Sequence, residues 1–286
     1  MIYTVIDWLT LIYAGCFCLL FIYPLAYLPF SMLTITSYNV NGIRSAVSKG
    51  LWQWLRDDQS DIVCLQETKA RTEDVNMLDL EALGYCHHWH SADQKGYSGV
   101  LTLSKRAPDN VIVGCGMPII DCEGRILRTD FGDWTLLNCY FPSGTMGEIR
   151  QGFKMQFLDD FSRWINELRR ERPQLIVVGD YNIAHREIDI HNPRGNRYTT
   201  GFLPEERAWF DQWLAGGFTD AFRFKNPDLV EYSWWSYRAG VRASNKGWRI
   251  DYQCVTDNLR DRIVRAHHLT NVVHSDHCPM QLIIDL

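Results

Sequence analysis

Leu175-Ile-Val-Val-Gly-Asp180-Tyr-Asn182 sets four apolar residues against an abrupt polar end. Four consecutive β-favouring residues, following a helical segment that closes on Pro173, read as a strand buried on both faces. In open α/β sheets the carboxyl ends of such strands collect ligands and reacting groups. Asp180 and Asn182, two residues apart and pointing the same way, are therefore a candidate catalytic pair. The competing reading is a plain turn, because Gly-Asp and Tyr-Asn are ordinary turn formers. The other strand ends of the chain decide between the two.

On the N-terminal side, Leu33-Thr-Ile-Thr-Ser-Tyr38 alternates as a strand and runs into Asn39-Val-Asn41-Gly42. Helical spacing follows from Ser45, a candidate cap, to about Asp58, through Val47, Leu51, Trp54 and Leu55. Asp61-Ile-Val-Cys-Leu65 is a second apolar strand and ends in Gln66-Glu67-Thr68-Lys69, which places Glu67 as Asp180 is placed. Thr72 to Leu83 reads as an amphipathic helix stopped by Gly84. Short strands separated by Gly, Pro and Asp then form a meander, with antiparallel pairing expected, and the last of them, Trp134 to Tyr140, puts a phenol at its tip. His87, His88 and His90 resemble a metal tract, but His88 and His90 alternate with Trp89 along a strand and are assigned a structural or exposed role.

A long helix is expected from Glu148 to Arg170, with Phe153, Phe157, Phe161, Trp164 and Leu168 on its core stripe. Beyond Asn182 a polar loop runs from Ala184 to Arg197, and loops of that length in a compact domain tend to be functional. Pro204 to Leu214 is a further helix that opens on Pro-Glu-Glu. Between Tyr232 and Ile250 there is no acidic residue, and Trp234, Trp235 and Tyr237 interleave with Arg238, Arg242, Lys246 and Arg249, a pattern suited to a phosphate backbone. Gly247 to Tyr252 reads as a strand carrying Asp251, and Asp276-His277 precedes a final strand.

Composition bounds these readings. The chain has 286 residues, 46% hydrophobic and 22% charged, enough for one large domain or two small ones. A net charge of −5 argues against a protein that merely coats nucleic acid, while leaving room for an enzyme with acidic metal ligands and a local basic surface. Nine Cys without zinc spacing fit reduced thiols in a cytoplasmic protein better than a disulfide framework. From Trp8 to Phe30 the chain carries no charge, close to the ~20 residues that span a bilayer. One reading is a membrane anchor through residues 8–30. Pro24 and Pro29, the missing basic flank and the near absence of a linker before Leu33 favour another: residues 1–31 are a hydrophobic extension upstream of a start at Met32, and 32–286 is the catalytic domain.

Glu67, Asp180, Asn182 and Asp276 supply hard oxygen donors without thiolates, which selects Mg²⁺, with Mn²⁺ as substitute, over zinc. Mg²⁺ keeps several waters and binds phosphate, so phosphodiester hydrolysis by direct attack of water is the expected chemistry. His277 contacts a phosphoryl oxygen if Asp251 accepts its other ring proton. Asp180 orients or deprotonates the water, and Asn182 donates to the developing phosphorane.

The set Ser-Tyr-Asn39-Val-Asn41-Gly, Leu-Gln-Glu67-Thr-Lys, Gly-Tyr-Ser-Gly-Val, Asn-Cys-Tyr140-Phe-Pro, Gly-Asp180-Tyr-Asn182, Gly-Trp-Arg-Ile-Asp251-Tyr and Ser-Asp276-His277 resembles the endonuclease/exonuclease/phosphatase superfamily. Within it, the chain is most like the exonuclease III type apurinic/apyrimidinic endonucleases. The resemblance covers residues 33–286. It implies a four-layered α/β sandwich, two mixed β-sheets packed face to face with helices on the outside. It also implies a Mg²⁺-dependent enzyme of base excision repair that cuts 5′ to abasic sites, with 3′–5′ exonuclease and 3′-phosphatase activity. Tyr140, Asp180, Asn182, Asp251 and His277 then carry the chemistry, and Asn39, Glu67, Asp180, Asn182, Asp276 and His277 form the metal set. Trp234, Trp248 and Ile250 line a pocket for the baseless sugar, and Asn196, Arg242 and Lys246 contact the substrate. The expected partner is double-stranded DNA with abasic sites or blocked 3′ ends, bound by a monomer. Two departures stand out. Asn41 occupies a slot that holds Asp in some relatives, which puts metal ligation there in question, and Thr199 stands where some relatives place a DNA-contacting Asn.

Two rival functions remain in view. The same core serves lipid phosphodiesterases and phosphatases, which an apolar N-terminus would suit, and a non-catalytic nucleic-acid-binding module would need no filled catalytic set.

Overall fold

The structure, a computed structural model, describes residues 32–286; the apolar stretch 8–30, and with it the anchor and start-site readings, lies outside the described residues. Among the described residues no helix is long and apolar enough to cross a membrane. In chain order the elements are β1 (Met32–Asn39), α1 (Ile43–Ser48), α2 (Leu51–Asp58), β2 (Ile62–Gln66), α3 (Leu78–Ala82), β3 (Cys86–His90), β4 (Val100–Ser104), β5 (Asn110–Val113) and α4 (Pro118–Asp121). They continue with β6 (Ile126–Phe131), β7 (Trp134–Tyr140), α5 (Glu148–Glu171), β8 (Gln174–Asp180), α6 (Pro193–Asn196), α7 (Pro204–Ala215), β9 (Phe218–Asp220) and α8 (Ala221–Lys225). The last strands are β10 (Asp251–Thr256), β11 (Ile263–His268) and β12 (Met280–Asp285).

The strands form two six-stranded sheets, ordered β11-β12-β1-β2-β4-β3 and β5-β6-β7-β8-β10-β9. Each sheet is mixed: β1 runs parallel to β2 and β7 parallel to β8, whereas β1–β12, β2–β4, β6–β7 and β8–β10 are antiparallel. Apolar residues of both sheets meet in one cluster, with Ile35, Ile62 and Ile284 from the first and Leu136, Ile176 and Val255 from the second. A buried amide pair also crosses between the sheets, Gln66 Nε2 donating to Asn138 Oδ1 at 2.8 Å. On the outer face of the second sheet, Leu137 and Val177 pack on Phe157, Phe161 and Ile165 of α5 and on Trp209 and Trp213 of α7. On the outer face of the first, Val63 and Leu65 pack on Ile43, Leu51 and Leu55 of α1 and α2. This is the expected four-layered sandwich. Leu175 to Val178 are each 0% exposed, as a strand covered on both faces requires.

The boundaries differ in instructive places. The helix expected from Ser45 to Asp58 is two helices, because Gly50 turns left-handed at φ 96°; Ser45 lies inside the first, and Gly42 precedes it without a side-chain cap. The helix expected over Thr72 to Leu83 is a 3₁₀ turn, Thr72–Asp74, then the short α3, separated by Val75 in extended conformation. The strand around Asp251 begins at Asp251 itself, so Trp248 and Ile250 precede the ladder. Strands β9 and β11 and helices α4 and α8, which periodicity did not announce, are all six residues or shorter.

Candidate active site

Gly179 explains why the Gly-Asp step sits where it does. Its φ is 140°, and a Cβ there would come within 1.8 Å of the Cys139 carbonyl oxygen on the parallel neighbour β7. The missing side chain lets β7 and β8 run close, so Tyr140 and Asp180 end as register partners. Across the other edge of β8, Asp251 is the antiparallel partner of Asp180. In the first sheet Asn39 ends β1 beside Gln66 at the end of β2, and Glu67 follows. Asn41, Glu67 and Asn182 all take left-handed backbone at φ 44°, 50° and 53°. Backbone of this kind in side-chain-bearing residues concentrates at functional sites, where the surroundings must hold it.

The side chains converge. Asn39 Nδ2 donates to Glu67 Oε1 at 2.8 Å and to Asp180 Oδ2 at 2.9 Å, joining the two sheets. Asn182 N donates to Asp180 Oδ1 at 2.8 Å, and Asn182 Nδ2 donates to the Phe141 carbonyl at 2.9 Å. His277 Nδ1 lies 2.8 Å from Asp251 Oδ2, and its Nε2 lies 3.9 Å from Asp180 Oδ2. Asp276 accepts from Asn41 Nδ2 and from the Trp234 indole, both at 3.0 Å. Glu67, Asp180 and His277 each offer a ligand atom, all within 4.8 Å of one another.

Burial and neighbouring charge set the ionisation. Burial, reinforced by Asp251, pushes the Asp180 carboxyl well above the carboxylate range. Burial alone would lower the His277 imidazole, but Asp251, then Asp180 and Asp276, outweigh it and hold the ring charged. Burial likewise acts to raise Glu67 and is overcome by Lys69, 2.9 Å from Oε2, and by Asn39, so Glu67 stays low. The Tyr140 phenol is driven up by burial and then by Glu67. It is held from behind by Arg125, 1% exposed, whose guanidinium lies 4.7 Å from the ring centroid and donates to the Tyr140 carbonyl at 2.9 Å.

Beside these groups is a cavity of about 440 Å³ lined by Glu67, Tyr140, Asp180, Asn182 and His277 on one side and Thr199, Gly201, Trp234, Trp248 and Ile250 on the other. The two indoles stand edge to face with centroids 6.0 Å apart. The sequence-predicted set is thus brought together, apart from Asn196, Arg242 and Lys246. Asn196 Nδ2 is committed to the His191 and Asn192 carbonyls, and Thr199, one turn on, reaches the cavity instead. Lys246 is an exposed cation away from the cavity lining.

Two cations of the basic segment are not on its surface. Arg249 is 0% exposed and paired with Asp189 and Asp220, each at 2.8 Å. Arg242 points inward to backbone carbonyls at 2.7 to 3.4 Å, so a direct phosphate contact from it is not what the structure shows. Two amides also differ from expectation. The Asn39 oxygen accepts from Asn41 N at 2.9 Å, so its NH₂ rather than its oxygen faces the carboxylates. The Asn182 NH₂ is directed to Phe141 and, at 3.3 Å, to Asp180, rather than towards a phosphorane.

Sequence reasoning missed Ser233, whose hydroxyl donates to Asp251 Oδ2 at 2.6 Å and accepts from the amides of Ile250 and Asp251. It also missed Lys154 of α5, fully buried, whose Nζ donates to the Asn182 carbonyl at 2.8 Å and to Glu206 Oε1 at 2.6 Å. A charge standing in the helix stripe with Phe157, Leu158 and Phe161 was the available signal. His90 is buried between the Ile126 and Asp121 carbonyls, in keeping with a structural role.

Two mixed sheets with charged and amide side chains gathered at adjoining strand ends define an α/β sandwich hydrolase. The family description that matches residues 36–277 is "Endonuclease/Exonuclease/phosphatase family", and the chain belongs to that family. The exodeoxyribonuclease of Bacillus subtilis is 41% identical over 256 residues, covering 89% of this chain and all of the relative. The DNA-(apurinic or apyrimidinic site) endonuclease of Dictyostelium discoideum is 37% identical over 90% of this chain and 72% of its own. An AP endonuclease from Archaeoglobus fulgidus superposes with a TM-score of 0.82 at 28% identity over 89% of this chain and all of that one.

Proposed function

We propose that this protein is a Mg²⁺-dependent DNA hydrolase of base excision repair. It incises the phosphodiester 5′ to an abasic site and also acts on blocked 3′ ends, and residues 32–286 are its catalytic unit. The observation that carries the reading is the chain of contacts from Glu67 through Asn39 to Asp180, facing the Asp251–His277 pair, beside a cavity walled by two indoles. The names borne by the B. subtilis and D. discoideum relatives agree with it.

The residues fit a divalent cation of the hard kind. Glu67 and Asp180 offer carboxylate oxygens without a thiolate, and the remaining coordination of Mg²⁺ is ordinarily water and phosphate. Neighbouring carboxylates favour the charged form of His277, which suits it to face a phosphate. A cation held there supplies neutralisation of the charge on the phosphoryl and leaving oxygens. Asp180, in its ionised form, takes a proton from the attacking water as the water oxygen bonds to phosphorus. The bond from phosphorus to the 3′ oxygen breaks, and that oxygen leaves as an alkoxide that takes a proton from solvent water to become the 3′ hydroxyl. His277 Nε2–H donates to a non-bridging oxygen, oriented by Asp251 through Nδ1 and by Ser233 behind it. Asn182 fixes the carboxylate of Asp180, and Tyr140 stands beside Glu67.

The test is a 5′-labelled duplex with one abasic site, incubated with and without Mg²⁺, beside sphingomyelin vesicles. Metal-dependent incision on the 5′ side of the lesion is expected. Vesicle hydrolysis with an intact duplex would replace this reading with a lipid phosphodiesterase.

A further inference from the structure

Asp276 and His277 do not sit on a strand. They belong to the irregular connection between β11, ending at His268, and β12, beginning at Met280. Apart from an isolated bridge between His277 and Trp234, this segment has no ladder to occupy its carbonyls, so its shape depends on the donors that reach it. Arg242 reaches it at four points. One terminal nitrogen donates to the Ser275 carbonyl at 3.0 Å and the His277 carbonyl at 3.4 Å. The other donates to Thr270 at 3.0 Å and Val272 at 2.7 Å.

The guanidinium is in turn fixed. Its carbon lies 4.5 Å from the centroid of the Trp235 ring, and that indole donates to Asn245 Oδ1 at 3.1 Å. Trp235 is 3% exposed, and its backbone N–H donates to the Asp276 carbonyl at 2.9 Å. One arginine and the ring beneath it, with the His277–Trp234 bridge and Lys49 Nζ at the His274 carbonyl, therefore tie down Thr270 through His277. The loop delivers two functional side chains at its far end: the Asp276 carboxylate to Asn41 and Trp234, and the His277 imidazole to Asp251. Only a planar fork spans carbonyls arranged in this way, whereas an ammonium presents its donors from a single point.

We propose that Arg242 is a positioning residue of the reaction, acting through the 270–277 loop to seat His277 and Asp276, and that it does not bind substrate phosphate. This rests on the DNA-hydrolase reading of the same site. It separates two effects that a basic residue in a nucleic-acid enzyme usually confounds. A cation that neutralises a phosphate contributes to binding and to its salt dependence, and taking one such cation away makes the logarithmic salt slope shallower by about one. A cation that only positions a loop leaves the slope alone and acts on turnover, since displacement of a catalytic group by about 1 Å costs about a hundredfold.

The experiment measures kcat, KM and the dependence of kcat/KM on salt for an abasic duplex in Mg²⁺, with the wild type, Arg242→Lys, Arg242→Gln, which takes the cation away, and Trp235→Leu, each checked by thermal melting. Wild-type incision is the control for the enzyme reading; its absence defeats that reading before any variant is compared. Arg242→Lys retains the charge, and the expected result is a folded protein whose kcat falls on the order of tenfold to a hundredfold. Its KM stays within about twofold and its salt slope stays at the wild-type value. Trp235→Leu is expected to lower kcat in the same sense, less severely, with the slope unchanged, and it decides the matter if the lysine variant does not fold. Arg242→Gln is expected to keep the wild-type slope while kcat falls; a raised KM with a slope shallower by about one in that variant would make Arg242 a phosphate contact. An unchanged kcat with a lowered melting temperature would make it a structural staple only. Either result overturns the proposal.

Discussion

Asp251 and Asp180 face each other as direct partners across the antiparallel ladder of β10 and β8, and His277 lies between them, 2.8 Å from the first and 3.9 Å from the second. Two carboxylates this close in a buried site repel when both are ionised, and the imidazolium makes the arrangement tolerable. It also divides the roles, since one carboxylate fixes the ring and the other is left for water. Asp251→Asn preserves shape and a hydrogen-bond acceptor for Ser233 while removing the anion that keeps His277 charged. The expected outcome is a loss of kcat of about 10²- to 10⁴-fold with little change in the Mg²⁺ concentration required. Steady-state incision at saturating metal checks it, and full activity would remove Asp251 from the chemistry.

Glu67→Gln should separate metal binding from folding. The amide is isosteric, and Asn39 and Lys69 are the neighbours it must satisfy. Incision at limiting Mg²⁺ should fall steeply and recover in part as Mg²⁺ or Mn²⁺ is raised, because a weakened site is refilled by mass action. A metal titration identical to wild type would mean that Glu67 holds no cation.

Much of this was legible in the chain because the site is made at strand ends, where a run of apolar residues stops on a polar one. Leu175–Val178 before Asp180 and Ile62–Leu65 before Glu67 announce both the strand and its reacting tip. What could not be read was direction. Arg242 and Arg249 look in sequence like surface cations among aromatics, yet one points at carbonyls and the other at buried carboxylates. A guanidinium serves either purpose, and only the position of its acceptors decides. The same holds for Asn39 and Asn182, where residue type promised an oxygen ligand and an oxyanion donor but local hydrogen bonds turn both amides elsewhere. Helix breaks at Gly50 and Val75 were hidden by apolar spacing that continues through them.

Lys154 and Glu206 form an ion pair with no solvent exposure on either side chain. Glu206 Oε2 also accepts from the amides of Gly201 and Leu203, at 2.6 and 2.9 Å, so the pair ties α5 and α7 to the cavity wall. Removing one partner strands a buried charge. Lys154→Met should therefore cost about 3–5 kcal/mol of unfolding free energy, and Lys154→Met with Glu206→Gln should recover a large part of it. Urea unfolding of the two proteins measures the difference; equal destabilisation would show that the charge itself is not the cause.

Acid stability should depend on Asp189. Burial acts to raise this carboxyl, but Arg249 and Arg223 outweigh it and hold it far below the ordinary value. A depressed carboxyl adds stability that is complete above its unfolded pKa of about 3.9 and is lost as pH falls towards the folded one. Wild-type stability should thus decline as pH drops below about 4. Asp189→Asn, less stable at neutral pH because Arg223 loses its anionic partner and Arg249 one of its two, should decline more gently over the same range. Parallel stability curves from denaturant titrations at several pH values would exclude Asp189 as the source.

The cavity wall is where lesion selectivity should reside. Trp248 meets Trp234 edge to face, with ring centroids 6.0 Å apart, and Gly201 packs so closely that a Cβ there would lie 3.0 Å from the indole. A sugar without its base leaves the helix at low unstacking cost, and a confined apolar wall beside the reacting groups admits it while opposing a nucleotide that keeps its base. A terminal 3′ phosphate makes no comparable demand on the wall. Trp248→Ala should therefore reduce incision at an abasic site by more than it reduces release of a 3′ phosphate, and it should raise cutting of undamaged duplex relative to abasic duplex. The measurement is kcat/KM on the three substrates with one enzyme preparation, alongside its melting temperature. Equal losses on all three, together with a lower melting temperature, would mean that the indole supports the fold and leaves selectivity to other parts of the cavity.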